Sequence, residues 1–216
     1  MKEQFFPYIQ KLQDQITQKF ESLDHLGQFK EENWERPEGG GGRTRVLEKG
    51  AVFEKGGVNI SAVHGELPKS MQDYFKVGES TFYACGLSLV IHPKNPMVPT
   101  VHANFRYFER GDGTKPGSWW FGGGADLTPS YLFEDDCSHF HQTLKDACDA
   151  HDPAYYPEYK AWCDRYFHIK HRGETRGVGG IFFDNLKDKP AEQCLAFSEA
   201  CAASTLGKSA GGAVSI

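Results

Sequence analysis

The sequence has no C-x-x-C pair, no apolar run approaching membrane-spanning length, no excess of positive charge, no internal repeat and no Pro/Gly linker dividing it into halves. Each absence removes a class of reading. Six cysteines are present, Cys85, Cys137, Cys148, Cys163, Cys194 and Cys201, but their spacing matches neither a zinc site nor a disulfide framework. Cys137, Cys148 and Cys163 fall on apolar helical faces, so reduced, buried thiols are expected. A formal net charge of -5 gives no global field to attract nucleic acid or anionic lipid. Any anionic ligand must therefore be met by local cations. The opening Met1-Lys2-Glu3-Gln4 runs straight into an amphipathic pattern with acidic residues. That is neither a secretory leader nor an Arg-rich transit peptide, and the cytosol with no membrane span is expected. The glycines at 39–42 lack the Lys-Ser/Thr of a phosphate loop, and Gly50, Gly56 and Gly57 form no dinucleotide fingerprint, which argues against nucleotide binding.

What is present is a chain of 216 residues, 39% hydrophobic and 13% aromatic, enough for one domain with a core. Phe5, Ile9, Leu12, Ile16, Phe20 and Leu23 recur at helical spacing, closed by Gly27. A loop with Pro37 and the four glycines follows. Short β-like stretches come next, at 43–47, 51–53 and 58–64, with glycine breaks between them. Residues 88–92 and 100–108 read as strands joined by a Pro-rich connection, and 119–124 as a loop or strand end. Helices are expected at 134–150 and after Pro157, the latter with Tyr159, Trp162, Cys163, Tyr166 and Phe167 inward. A strand at 177–183 and a helix from about Ala191 complete the pattern, with 207–216 small and structureless. Strands grouped before helices argue for an α+β antiparallel sheet.

Side chains alternate across a strand, so 100–108 places His102, Asn104 and Arg106 on one face and Val101, Ala103, Phe105 and Tyr107 on the other. The preceding strand offers Ser88 and His92 beside an apolar face of Leu87, Leu89 and Ile91. The arrangement suits either a site or a solvated sheet face. His139, His141 and His171 lie further on. With His92 and His102 they form either a possible imidazole set for Mn, Fe, Zn or Cu, or scattered surface and core-edge residues; no compact metal motif is present. Asp126, after three glycines, is either a carboxylate facing N–H donors or an Asx turn before Pro129. Arg172 and Arg176 either clamp carboxylates or form surface ion pairs.

Longer stretches are more specific. Residues 39–47, GGGGRTRVL, and 51–68, AVFEKGGVNISAVHGELP, resemble the coproporphyrinogen III oxidase family. So do 86–109, GLSLVIHPKNPMVPTVHANFRYFE; 119–129, WWFGGGADLTP; and 156–186, YPEYKAWCDRYFHIKHRGETRGVGGIFFDNL. The likeness runs from about Gln4 to Leu186. It implies a flat antiparallel sheet sandwiched between helices, a homodimer, and oxidative decarboxylation of two propionates of coproporphyrinogen III to vinyl groups. Molecular oxygen is the implied co-substrate and protoporphyrinogen IX the product, with no organic cofactor. Family members are described both with a divalent metal, often manganese, and without one. Carried over by position, His102 matches the general acid and Asp126 the carboxylate facing the pyrrole N–H groups. Ser88, Asn104, Phe105 and Arg106 match substrate contacts, and Arg176 is a further propionate partner. His92, His102, His141 and His171 match the metal histidines.

The resemblance also implies that the family's C-terminal part is missing. Residues 1–190 then form a partial, incomplete domain and 191–216 a divergent tail, with the homodimer and turnover in doubt. Two other readings compete: an inactive tetrapyrrole-binding module, and a metal-dependent oxygenase or hydrolase using His92, His102 and Asp126.

Overall fold

A computed structural model describes residues 1–75 and 81–204. Helix α1 (Lys2–Asp24) leads into strands β1 (Lys30–Glu35), β2 (Gly40–Glu48) and β3 (Phe53–Glu66). A short helix α2 (Lys69–Phe75) precedes β4 (Thr81–Pro93), β5 (Thr100–Arg110) and β6 (Trp119–Thr128). Helices α3 (Glu134–Asp149) and α4 (Tyr155–Tyr166) follow, then a small ribbon of β7 (His168–Ile169) and β8 (Glu174–Thr175). Strand β9 (Gly179–Leu186) and helix α5 (Ala191–Ser204) end the described chain. The main sheet is flat and seven-stranded, in the order β1-β2-β3-β4-β5-β6-β9, with every neighbouring pair antiparallel. The fold is α+β, as the sequence pattern implies.

One face of this sheet carries the core. Phe5, Ile9, Leu12, Ile16 and Phe20 of α1 are buried against Val58, Ile60, Leu87, Leu89, Phe105 and Phe121. That is the stripe the helical spacing predicts. At the β9 end, Phe197 of α5 meets Tyr155, Tyr159 and Phe183 at ring centroids 4.7, 5.9 and 5.1 Å apart. The core thus continues through α5, past residue 190. Burying such aromatic rings is worth roughly 1.5–3 kcal/mol each.

Asp24 fixes the end of α1. A carboxylate there opposes the helix dipole, yet it is fully buried and accepts hydrogen bonds from the backbone N–H groups of Gly27, Ala51, Val52 and Phe53. Burial alone would push its pKa up; those four donors outweigh burial and hold the carboxyl well below its usual range. A Cβ at Gly50 would lie 2.2 Å from Asp24 Oδ2, so the turn between β2 and β3 needs glycine for close approach. The expected strand at 51–53 is, through residue 52, this clamped turn; only Phe53 opens β3.

Other differences have equally local causes. Glycines 40–42 begin β2 instead of a loop, because the Trp34 indole of β1 lies where a Cβ of Gly42 would stand, 2.5 Å from Cζ2. Strand β1, Lys-Glu-Glu-Asn-Trp-Glu, is exposed throughout. It is a charged edge strand without the alternation that would reveal it. Glycines 122–124 lie inside β6, and β9 begins at Gly179 rather than 177. All six cysteines are free and five are buried; Cys137 is half-buried. The expectation for 207–216 lies outside the described residues.

Candidate functional site

Register places the second face. Ser88 of β4 pairs with Asn104 of β5, Asn104 with Gly124 of β6, and Gly124 with Phe182 of β9. In the next row His102 pairs with Asp126, and on the other side Arg106 pairs with Gly122. His102, Asn104 and Arg106 are half-buried on this face, while Ala103, Phe105 and Tyr107 are buried on the other. A cavity of about 300 Å³ opens here, lined by His102, Asn104, Arg106, Gly123, Gly124, Tyr166, Phe167 and Phe182. A larger cavity of about 380 Å³ lies between Phe20, Val101, Leu127, Phe140 and Leu144; Asp135, Asp136, His139 and Thr143 also line it, and no arginine or lysine is among its lining residues.

Asp126 is the anchor of the site, its side chain only 3% exposed. It lies within a regular strand, not an Asx turn. Arg176 holds it bidentately, Nη2 to Oδ2 at 2.6 Å and Nε to Oδ1 at 3.2 Å. The same guanidinium lies 3.7 Å from the Phe167 ring centroid, a cation–π contact that fixes its other side. His102 Nδ1 stands 2.9 Å from Asp126 Oδ2. An ionised carboxylate only accepts, so Nδ1 carries the proton and Nε2 remains to take or give one. Arg176 Nη2 is also 3.3 Å from Nδ1, but two donors cannot bond each other, and the shorter carboxylate contact sets the tautomer. The arrangement orients an imidazole through a buried acid, the logic of many proton-transfer sites.

Arg106 donates from Nη1 to Asn104 Oδ1 at 3.0 Å and sits 3.3 Å from Asp184 Oδ1 through Nη2. A Cβ on Gly122 would come within 2.7 Å of that carboxylate oxygen and 2.9 Å of the guanidinium carbon. Gly122 therefore leaves the space this pair occupies. Gly124, whose Cβ would lie 2.5 Å from the Ile181 carbonyl, keeps β6 and β9 close. Tyr166 stacks on Phe182 at 4.0 Å with planes 13° apart. Tyr166 is not an inward core residue as the helical pattern suggested; it is 61% exposed because α4 passes the sheet edge and ends over the second face.

The structure thus brings together His102, Asn104, Arg106, Asp126 and Arg176, with Ser88 in the adjoining row. Phe105 differs: its side chain is fully buried in the core, so only its main chain borders this face. The expected metal histidines are not gathered. His92 is exposed at the end of β4 beside Thr100, and His171 is exposed between β7 and β8. His141 spends both nitrogens, Nε2 on the Val178 carbonyl and Nδ1 on the Tyr156 hydroxyl, each at 3.0 Å. Burial pushes its pKa down. Among the described residues no group of three or more His, Cys, Asp or Glu could hold an ion. Both oxygens of Asp126 are already paired with Arg176, and a nearby guanidinium disfavours a second cation. The donor set does not fit a metal, and the facial set His92, His102 and Asp126 is not formed.

The strands and helix ends also place residues that the sequence pattern did not single out. Phe182 and Asp184 stand on the site face of β9, and Tyr166 and Phe167 wall the cavity. Period-two alternation from Ile181 and Phe183 was the available signal for the first two.

The family model described as coproporphyrinogen III oxidase matches residues 4–209. The oxygen-dependent coproporphyrinogen-III oxidase of Drosophila melanogaster is 54% identical over 203 residues, 90% of this chain and 52% of that protein. The chloroplastic enzyme of Glycine max is 50% identical over 214 residues, covering 94% and 55%. The mitochondrial enzyme of Homo sapiens is 52% identical over 205 residues, covering 90% and 45%. The chain spans about half the length of the curated relatives it matches. Its buried Asp126, the imidazole beside it and the long matching segments around both agree: the chain belongs to the coproporphyrinogen III oxidase family.

Proposed function

We propose that this chain carries the propionate-binding and proton-transfer part of an oxygen-dependent oxidative decarboxylation, in which coproporphyrinogen III becomes protoporphyrinogen IX. The observation that carries the reading is an aromatic-walled cavity lined by His102, Asn104 and Arg106, in which His102 is backed by the Asp126–Arg176 pair. A tetrapyrrole with carboxylate side chains is an apolar disc rimmed by anions. It needs aromatic walls, a few fixed cations and an acceptor for pyrrole N–H groups, not a basic protein. Tyr166, Phe167 and Phe182 supply the walls and Arg106 the cation. Asp126, behind His102, is the proposed acceptor, held in place by two nitrogens of Arg176. Ser88 and Asn104 add hydrogen-bonding groups to the same strip of sheet.

For each propionate, oxygen takes two electrons and two protons to leave as hydrogen peroxide, the carboxyl leaves as carbon dioxide, and the side chain becomes a vinyl group. The two electrons come from the propionate's own broken C–H and C–COOH bonds, relayed through the electron-rich macrocycle, so the protein's share is orientation and proton handling. His102 Nε2 is the group placed to exchange a proton. No step is assigned to a metal.

A second reading is a module that holds the tetrapyrrole without turnover. It is favoured by the share of the relatives that this chain spans. Aerobic and anaerobic incubations of coproporphyrinogen III with the purified chain decide between them. Vinyl formation that needs oxygen supports turnover; binding without it leaves the second reading; neither overturns both. No helix among the described residues is long and apolar enough to cross a membrane. Relatives carry chloroplastic and mitochondrial names, where the sequence pattern alone implies the cytosol.

A further inference from the structure

The second cation of the site is already engaged from within. Arg106 Nη1 is committed to Asn104, and Nη2 lies 3.3 Å from Asp184, an acid to which the sequence pattern gave no role. Asp184 sits beside an irregularity. Between Phe121 and Gly123 the register of β6 with β9 shifts, and Asn185 takes a left-handed φ of 55°. Asparagine tolerates that conformation better than most residues. Its N–H donates to Asp184 Oδ1 at 3.0 Å. Alternation from Phe182 puts Asp184 on the site face, the bulge at Asn185 holds its carboxylate through that N–H, and Gly122 vacates the space where the two charges meet.

The charges on this face are two arginines, Arg106 and Arg176, and two aspartates, Asp126 and Asp184. The two pairs are unequal. Arg176 grips a carboxylate that is only 3% exposed, through two nitrogens, and is backed by Phe167. The Arg106–Asp184 pair is single, longer, and 37% and 33% exposed. An incoming carboxylate meets least resistance at Arg106 Nη2.

We infer that Asp184 is a positioning residue that holds Arg106 ready and sets the affinity of the cavity for carboxylate ligands: a ligand carboxylate binds by taking the place of Asp184 on Arg106. Asp184 does two opposing things. It fixes the guanidinium, which aids recognition, and it repels the arriving anion, which keeps binding reversible. Loss of its charge tightens binding, the opposite of what structural damage does. A partly exposed ion pair is weak, so the gain is about two- to five-fold in Kd, and salt diminishes it. The cavity as a carboxylate site stands on this geometry; the tetrapyrrole as its occupant rests on the proposed function.

The test uses the whole chain and its D184N and D184E variants, with two probes. Glutarate reports the carboxylate subsite through the Arg106 side-chain N–H signals in NMR. Coproporphyrin III, against its tetramethyl ester, reports the tetrapyrrole through fluorescence. Asn keeps the acceptor for the Asn185 N–H, so the bulge survives. D184N is expected to bind glutarate and coproporphyrin III about two- to five-fold more tightly, with no change for the ester, and D184E to return toward the parent. D184N binding glutarate equally or more weakly overturns the inference. If neither protein binds coproporphyrin III while D184N still tightens glutarate, the tetrapyrrole reading fails and the inference stands.

Discussion

Arg176 holds Asp126 through two nitrogens, at 2.6 and 3.2 Å, and the same carboxylate reaches His102 Nδ1 at 2.9 Å. One acid thus orients a cation and an imidazole together. Asp126→Asn keeps the shape but removes the charge that fixes the Nδ1–H tautomer. Turnover is expected to fall about a hundred-fold or more, in this chain if it is active and in a full-length relative with the matching substitution. The melting temperature should fall moderately, since Asn accepts from Arg176 through one oxygen only and turns an NH2 donor toward the other partner, while the fold is kept. Near-parental rates would remove Asp126 from the chemistry.

Arg106 is expected to bind rather than react. Arg106→Ala removes a charge-assisted bond to a ligand carboxylate, worth roughly 1.5–3 kcal/mol. Affinity for coproporphyrin III should drop about ten-fold or more, and binding of the tetramethyl ester should not change. Titration of both ligands measures this; equal losses for both would place Arg106 in packing instead.

Asp24 makes an acid-stability prediction. Its folded pKa is lowered from an ordinary 3.8, so the folded state binds fewer protons than the unfolded chain as pH falls. The stabilisation is fully present above 3.8 and is lost as pH drops through the depressed folded value. Asp24→Asn replaces a charged acceptor of five backbone N–H groups by a neutral one and should cost about 1–3 kcal/mol at neutral pH. Urea melts at pH 7 and pH 3 should show a smaller gap between parent and variant at the acid end. A gap independent of pH would mean that the charge of Asp24 contributes nothing.

These residues also show what the sequence could reveal. The period-two pattern of 100–108 separates His102, Asn104 and Arg106 from Phe105 before any coordinates, and the register then sets them beside Ser88 and Asp126. The stripe of α1 is equally plain. Asp24, by contrast, sits where helix electrostatics disfavour an acid, and three of its donors, Ala51, Val52 and Phe53, come from a turn 27 to 29 residues away in sequence. Asp184 follows the alternation from Phe182, but the pattern does not reveal that it meets Arg106 across the space left by Gly122. Strand β1 lacks alternation because both of its faces are wet. The histidines were grouped by family likeness; their surroundings differ, and only the fold separates His141, locked between Val178 and Tyr156, from His102. Local periodicity carried the faces, while long-range hydrogen bonds and irregularities decided the individual partners.

Gly122 is the sharpest structural test of the site. Its absent side chain provides the room in which Arg106 and Asp184 meet: a Cβ there would lie 2.7 Å from Asp184 Oδ1 and 2.9 Å from the Arg106 guanidinium carbon and Nε. Gly122→Ala must therefore push the two side chains apart or tilt β6. Both are the ends of side chains more than 30% exposed, so the cheaper response is displacement of the pair, and the cost in stability should be small, about 1 kcal/mol. The effect on binding should be larger in proportion, because Arg106 loses the position set by Asn104 and Asp184. Weaker coproporphyrin III binding with a melting temperature close to the parent is the expected result. A variant that binds normally would show that Arg106 finds its ligand without the space Gly122 provides. A variant that unfolds would place Gly122 in the packing of β6 against its neighbours rather than in the site.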